Sequence, residues 1–191
     1  MFYWLTILSD GGDFFNLFRY ITFRAGGAFL TSLIFGFVFG RPLINLLRRR
    51  QGQGQPIRSD GPEAHFSKAG TPTMGGALIL GALVVSTVLW ARLDNMHIWV
   101  VLFVTIGFGA IGFADDYAKV SKQTVAGVSG KIRLGLGFGI ALVASLVAAQ
   151  LHPDGLSTQV AVPILKDALV PFGVLFFPFA MIVIVGTANA V

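Results

Sequence analysis

Cysteine is absent from this 191-residue chain, and charged side chains are scarce at 12%. The lack of cysteine excludes a disulfide scaffold and a thiolate metal site. Soluble domains carry about 25% charged residues. A chain that is 54% hydrophobic and so poor in charge is therefore a membrane protein by composition. Its 18 phenylalanines and 24 glycines agree, because membrane helices tolerate both well.

Basic residues are also lacking at the start of this sequence. The first twenty residues, MFYWLTILSDGGDFFNLFRY, have no basic start and carry Asp10 and Asp13, so they make a poor signal peptide. Their aromatic content predicts a stretch that lies at the membrane interface. The net charge of +5 does not indicate a nucleic-acid partner, because the basic residues fall in loops between apolar segments.

Apolar runs near the roughly 20 residues that cross a bilayer predict five membrane spans. They cover about 24–47, 73–91, 98–115, 132–151 and 168–188. The expected fold is an all-α, polytopic membrane helix bundle that forms a single membrane domain. We find no internal repeat, and the glycine and glutamine run at 51–55 is predicted to be a flexible connector.

Two loops concentrate the basic residues. The loop between spans one and two holds Arg48, Arg49, Arg50, Arg58 and Lys68. The loop between spans three and four holds Lys119, Lys122 and Lys131. The other two loops hold one basic residue each, Arg92 and Lys166. The positive-inside rule places the two basic loops in the cytoplasm and the N-terminus outside. Arg19 and Arg24 argue weakly for the reverse.

Two adjacent aspartates, Asp115 and Asp116, follow a glycine-rich apolar run in TIGFGAIGFADDYAKV. At a helix C-terminus each would meet the negative end of the macrodipole, at roughly 0.3–1 kcal/mol. One interpretation is a solvated helix end, with Lys119 pairing with Asp115 at i+4 and with Asp116 at i+3. The other is a site for Mg²⁺ or a phosphate-bearing substrate, because carboxylate oxygens at membrane depth suit both.

The stretch HFSKAGTPTMGGALIL, residues 65–80, opens the second span. Thr71 can cap a helix that starts at Pro72 or Thr73. Free amides at that start, with Lys68 nearby, would form an anion site. The same residues can equally serve only to begin a membrane helix. On the residues alone, His65 is more often a bystander than a catalyst.

Both motifs lie on the cytoplasmic face under the orientation that the charges give, and so does Asn189, which also reads as an ordinary helix cap. One face then carries a carboxylate pair, an anion-binding helix start and several lysines. Transfer of a phosphorylated group to or from a membrane lipid would need such a set. A transporter or proton pathway is an alternative that expects charges at mid-membrane. A structural role without catalysis is another, but it does not explain the clustering.

Three motifs, KAGTPTMGG at 68–76, GFADDYAKV at 112–120 and GTANAV at 186–191, resemble those of the phospho-N-acetylmuramoyl-pentapeptide transferase (MraY) family. These are bacterial inner-membrane enzymes of peptidoglycan synthesis, and the resemblance covers essentially the whole chain. It implies that phospho-MurNAc-pentapeptide moves from UDP to undecaprenyl phosphate, giving lipid I and UMP, with Mg²⁺ required. It leaves open whether a covalent phospho-enzyme forms.

The resemblance also implies roles for single residues. Asp115 and Asp116 match the catalytic acidic pair and contribute to the metal site, the first engaging the lipid phosphate as base or nucleophile. Lys119 and Lys131 match active-site lysines. The remaining matches are Lys68 and Thr73 near the uridine pocket, and His65 and Asn189 as further polar residues of the cleft.

The chain departs from the family in length. The family has ten spans, of which the expected five are the first, with the N-terminus periplasmic. We therefore expect a fragment that is inactive alone, because the principal Mg²⁺ ligand and most of the nucleotide pocket would lie beyond Val191. The full-length protein is expected to be a homodimer with its active site on the cytoplasmic face. Another polyprenyl-phosphate hexosamine-1-phosphate transferase is the nearest alternative, although GTPTMGG favours the muramoyl-pentapeptide branch.

Overall fold

The computed structural model describes residues 1–52, 72–124, 126–152, 156–162 and 168–190. Its α-helices there are α1 Ile21–Gln51, α2 Gly76–Trp90, α3 Met96–Lys122, α4 Gly130–Gln150 and α5 Phe176–Asn189. Short 3-10 helices span Phe2–Leu8, Phe14–Arg19 and Gly173–Leu175. Two three-residue strands, β1 Gln159–Ala161 and β2 Leu169–Pro171, form an antiparallel ribbon. The chain is mostly helical, which confirms the predicted all-α class.

Three of these helices are long and apolar enough to cross a membrane. The best 18-residue windows of α1, α3 and α4 have mean hydropathies of 1.6, 2.0 and 2.0. The helix α2 and the stretch Gly173–Asn189 are apolar but shorter, so the count of five spans stays a prediction. Large apolar side chains point outward, among them Phe37, Ile79 and Ile182 at 78%, 71% and 64% exposed. Lipid tails would cover such a surface.

The predicted end of the third span is not the end of a helix. The helix α3 continues to Lys122, so Asp115 and Asp116 lie well inside it. The sequence YAKVSK that follows them contains neither glycine nor proline and extends the helix. The expected dipole penalty does not apply, because that effect is confined to the last turn.

The predicted span at 168–188 is wrong over its first residues. Strand β2 and a 3-10 turn occupy Leu169–Pro171 and Gly173–Leu175, and α5 begins only at Phe176. Pro171 lacks the amide that a helix interior needs, and Gly173 has a φ of +53°. In the ribbon, Val160 lies opposite Val170. Strands of three residues are too short to show a detectable alternation.

The residues form two compact units, which are described separately. The first contains residues 1–94 and 112–128, and the second contains 95–111 and 129–191. In the first unit α1 and α2 run antiparallel. Gly27 lies beneath the Trp90 ring, and farther along α1 the Phe35 ring lies 3.5 Å from where a Cβ of Gly81 would be. Small residues thus let the two backbones approach, as is common between membrane helices.

An aromatic cluster packs against one end of this helix pair. The Trp90 ring lies 4.8 Å from Phe2, 6.0 Å from Phe18 and 6.2 Å from Phe23, centroid to centroid. Its indole nitrogen donates to the Thr31 hydroxyl at 2.9 Å. The two N-terminal 3-10 helices are therefore packed onto the ends of α1 and α2.

In the second unit α4 packs against α5 and the first part of α3. Gly137 on α4 lies under the ring of Phe108 of α3. A Cβ at Gly137 would be 3.2 Å from that ring and 3.8 Å from the Val185 side chain of α5. Ala141 and Ala144 are buried on the same helix. Small residues again permit the close packing.

Candidate active site

The carboxylate pair and Lys119 come from two consecutive turns of α3, in the first unit. Asp115 is 7% exposed, and its Oδ2 lies 2.7 Å from Lys119 Nζ. The predicted i+4 contact is therefore present. Asp116 instead accepts a hydrogen bond from the Thr73 hydroxyl through Oδ2, at 2.9 Å. Adjacent like charges are separated in this way, each turned to its own partner.

A short loop after α3 holds the second oxygen of Asp115. The amide of Val128 donates to Asp115 Oδ1 at 2.8 Å. Gly127 lies so close that a Cβ on it would be 2.7 Å from the carboxyl carbon of Asp115 and 2.9 Å from Cε of Lys119. Real Cβ atoms do not approach other atoms so closely, so a side chain at this position would have to displace the ion pair or the loop.

Gln51, the last residue of α1, fixes the backbone of Thr73. Its Oε1 accepts from the Thr73 amide at 2.9 Å, and its Nε2 donates to the Thr73 carbonyl at 3.1 Å. Gln51 is 8% exposed. One buried carboxamide thus satisfies both main-chain groups of Thr73, and the hydroxyl of Thr73 is left to face Asp116.

The turn into α2 differs from the prediction. Met74, 8% exposed, has a φ of +71°, a left-handed conformation that is uncommon for a long side chain. The helix begins at Gly76 rather than at Pro72 or Thr73, and the amides of Ala77 and Leu78 already bond carbonyls of Met74 and Gly75 at 3.1 Å. Thr71, the expected cap, lies outside the described residues. The predicted anion site at residues 72–73 is therefore not formed by a helix start.

The remaining predicted site residues divide into two groups. His65 and Lys68 lie outside the described residues. Lys131 and Asn189 belong to the second unit, where Lys131 is exposed in the first turn of α4 and Asn189 donates to the Val185 carbonyl at 2.8 Å. The structure therefore brings together Asp115, Asp116, Lys119 and Thr73.

The carboxylates at this site meet part of what a magnesium ion needs. In the described parts of the chain, no group of three histidine, cysteine, aspartate or glutamate side chains could hold a metal ion. Mg²⁺ often takes only one or two carboxylates and keeps several waters. Both oxygens of Asp115 have partners, so Asp116 is the carboxylate better placed to become a ligand. The residues present fit one side of a magnesium site.

The sequence reasoning missed Gln51, Gly127 and the strained Met74. Gln51 begins the run that the sequence predicts to be a flexible connector, yet it ends a 31-residue helix and is buried. A buried glutamine directly after three arginines gives no periodic signal. Gly127 lies in a loop where a sequence offers no sign of what the glycine faces.

Comparison with known proteins adds independent observations. Residues 68–80 match the pattern described as phospho-N-acetylmuramoyl-pentapeptide-transferase signature 1. Proteins named phospho-N-acetylmuramoyl-pentapeptide-transferase from Ruegeria sp. (strain TM1040) and Ruegeria pomeroyi are 71% and 69% identical over 191 residues, all of this chain and 53% of each relative. The Maricaulis maris protein of that name is 53% identical over 96% of the chain and 52% of its own length. The chain spans about half the length of the curated relatives it matches.

Proposed function

Because the chain belongs to the phospho-N-acetylmuramoyl-pentapeptide transferase family, we propose that it forms the first half of an enzyme that makes lipid I. That enzyme moves phospho-MurNAc-pentapeptide from its UDP carrier to undecaprenyl phosphate and releases UMP. The observation that carries this proposal is the ion pair between the buried Asp115 and the partly exposed Lys119, side by side with the Asp116–Thr73 hydrogen bond. The proposal requires that a phosphate on a membrane lipid reach these groups.

The reaction exchanges one phosphoanhydride bond for another. An oxygen of the lipid phosphate bonds to the phosphorus that carries the sugar. The bond from that phosphorus to the bridging oxygen of UDP breaks, and its electron pair leaves with UMP. Charge on the phosphoryl oxygens must be stabilised throughout, so positioned cations provide most of the catalysis.

Lys119 is the cation that we assign to this task. Asp115 holds its ammonium group at 2.7 Å, so no reorganisation is needed when the phosphates arrive. Asp115 has both oxygens bonded, which makes it a poor nucleophile, and we propose direct displacement without a covalent enzyme intermediate. Asp116, oriented by Thr73, is assigned to the metal. When bound, Mg²⁺ would neutralise phosphate charge.

The same proposal covers location and assembly. We place the enzyme in the bacterial cytoplasmic membrane as a multi-pass protein, with the N-terminus outside and the Asp115 end of α3 on the cytoplasmic face. Charge counts of the loops support this orientation. We further propose that the full-length protein is a homodimer and that chain 1–191 alone is inactive.

A chimera tests the proposal. Chain 1–191 is fused to the part of the Ruegeria sp. relative that lies beyond the matched region. Over the matched region that relative is 71% identical to this chain. The purified chimera should make lipid I from UDP-MurNAc-pentapeptide and undecaprenyl phosphate in the presence of Mg²⁺. Chain 1–191 alone should make none.

Asp116→Asn and Lys119→Met in the chimera should each lower kcat at least about a hundredfold, the usual scale for losing one stabilising charge. Asp94→Asn, an exposed loop carboxylate, is the matched control and should be fully active. Release of UMP from UDP-N-acetylglucosamine instead of the pentapeptide substrate would indicate the related hexosamine-1-phosphate transferases. Lipid I formation by chain 1–191 alone would contradict the proposed inactivity.

A further inference from the structure

The helices α1 and α2 of the first unit line a groove that includes neither Asp115 nor Asp116. It has a volume of about 480 Å³ and runs between the faces of α1 and α2. Small residues lie along its wall, with Ala28, Ser32 and Gly36 one turn apart on α1 and Ala82 and Ser86 one turn apart on α2. Larger apolar side chains complete the lining, among them Phe29, Ile79 and Leu83. We call this the α1–α2 groove. From Ala28 to Gly36 it extends for about 12 Å along the helix axis, close to one leaflet of a hydrocarbon core of roughly 30 Å.

One polar atom in the wall has no partner. Ser86 is 4% exposed, and its hydroxyl makes no hydrogen bond in the structure. Ser32, opposite on α1, bonds its own helix through the Phe29 carbonyl at 2.8 Å. An unsatisfied hydroxyl in an apolar setting costs about 1–3 kcal/mol. Rotation about χ1 would turn the Ser86 hydroxyl toward an acceptor in the groove.

A second unpartnered atom lies at one mouth of the groove. Arg24 is one turn before Ala28, and Trp90 is one turn after Ser86; Arg24 Nη1 donates to the Trp90 carbonyl at 3.4 Å. The Nε of Arg24 is buried without a partner. Within the described ranges, Arg24 Nε and Ser86 Oγ are the buried side-chain polar atoms left unsatisfied. Ser86 lines the groove, and Arg24 lies one helical turn beyond its lining residue Ala28.

This mouth is positively charged. The guanidinium carbons of Arg24 and Arg92 lie 5.0 Å and 4.7 Å from the centroid of the Tyr3 ring. Asp94 pairs with Arg92 at 2.8 Å. Two guanidinium groups face one carboxylate, which leaves an excess positive charge at the level of Trp90, an interface-seeking residue.

We propose that the α1–α2 groove binds one molecule of an anionic glycerophospholipid. Its phosphate meets Arg24 and Arg92, an ester carbonyl accepts from Ser86, and an acyl chain lies along Ala28, Ser32 and Gly36. A third helix would fill the apolar walls but would bring no anion to the mouth. A free phosphate would satisfy the mouth but leave the walls empty. A phospholipid matches the charge, the unsatisfied hydroxyl and the apolar groove together.

Quenching of Trp90 fluorescence tests the proposal. Chain 1–191 carrying Trp4→Phe and Trp99→Phe leaves Trp90 as the one tryptophan of three. In detergent micelles, phosphatidylglycerol with brominated acyl chains should quench it saturably, with an affinity about tenfold above that of brominated phosphatidylcholine. Equal quenching by the two lipids would overturn the proposal, since it rests on charge recognition.

Variants locate the site. Arg24→Gln should remove the preference for phosphatidylglycerol, whereas Arg41→Gln, an exposed arginine on the same helix, should keep it. Gly36→Leu fills the groove and should abolish saturable quenching, whereas Gly26→Leu should not, since a Cβ at either glycine meets no atom within 4 Å. Saturable quenching that survives Gly36→Leu in a folded protein would place the lipid elsewhere and overturn the proposal.

Ser86→Ala separates a lipid ligand from a packing role. Without lipid this variant should unfold at a higher temperature, because the unsatisfied hydroxyl is gone. With saturating phosphatidylglycerol it should gain less stability than the parent does. An equal gain in both proteins would show that the hydroxyl does not contact the lipid, and the proposal would fail.

Discussion

Gly127 has no side chain, and this lets the loop after α3 reach the Asp115–Lys119 pair. The amide of Val128 bonds Asp115 only because Gly127 passes over the carboxylate without a Cβ. The ion pair is therefore held from two directions, from its own helix and from the loop. A site that binds charged phosphates requires charged groups that are fixed in position in this way.

Gly127→Ala should force the loop away from Asp115 and remove the hydrogen bond from Val128, so that the Asp115 carboxylate is held only from its own helix. Overpacking of this type typically costs about 1–3 kcal/mol, and we expect kcat of the chimera to fall at least about tenfold. Gly130→Ala is the matched control, because a Cβ there meets nothing within 4 Å. A Gly127→Ala chimera with the activity of the control would show that the Val128 contact is dispensable.

Gln51→Leu should leave the amide and the carbonyl of Thr73 without partners. Loss of one partner in a buried pair costs about 1–3 kcal/mol per group, and Thr73 would no longer be oriented toward Asp116. We expect a lower melting temperature and a higher requirement for Mg²⁺ in the chimera. Gln150→Leu, an exposed glutamine at the end of α4, serves as the comparison. A merely structural Gln51 would change the melting temperature but not the Mg²⁺ requirement.

The Arg92–Asp94 pair should contribute little at neutral pH. The hydrogen bond from Arg92 lowers the pKa of Asp94 from its ordinary value of 3.8. A lowered carboxyl pKa stabilises the fold above 3.8, and the contribution is lost as pH falls through the still lower folded pKa. Because both side chains are exposed, Asp94→Asn should leave the melting temperature at pH 7 almost unchanged. A clear drop at pH 7 would show that the pair is screened less than its exposure implies.

At the scale of elements, the pairing of α1 with α2 depends on where glycine lies. Gly27 supports the Trp90 ring, whereas Gly26, its neighbour, has open space at the Cβ position. Substitutions at these two adjacent residues are therefore expected to change the stability of the chain in opposite directions.

Gly27→Ala should destabilise the chain by about 1–3 kcal/mol, because the added carbon displaces the Trp90 ring. Gly26→Ala should instead stabilise it by up to about 1 kcal/mol through helix propensity. Thermal unfolding in detergent, followed by circular dichroism, measures both. Equal shifts in the two variants would mean that the Trp90 contact does not hold the helices together.

Composition and apolar length were enough to predict helices at the five expected segments, because lipid forces backbone hydrogen bonds to form within each helix. The boundaries were less accessible. The continuation of α3 past Asp116 depends on local helix propensity that the drop in hydropathy concealed, and the ribbon Val160–Val170 is too short for a pattern. The candidate site was likewise predictable only in part. The Asp115–Lys119 pair follows from its i+4 spacing, whereas Gln51 meets Thr73 through a tertiary contact that the sequence does not show.

For the whole molecule, the lack of cysteine makes the orientation directly measurable. Single variants Gly12→Cys, before α1, and Ser121→Cys, near the end of α3, each carry one reactive thiol on an exposed residue. In intact bacterial cells a membrane-impermeant maleimide should label Gly12→Cys at once and Ser121→Cys only after permeabilisation. The reverse pattern would place the carboxylate pair outside and contradict the positive-inside assignment.

The Asp115–Lys119 ion pair also bears on how the chain enters the membrane during synthesis. Both partners belong to α3 and are one turn apart, so the pair can form as soon as that helix forms, before Thr73 or the loop at Val128 is in place. A charge of either sign raises the free energy of inserting a helix, and a partner on the same helix offsets part of it. The helix can therefore enter the lipid with the charges of Asp115 and Lys119 already paired.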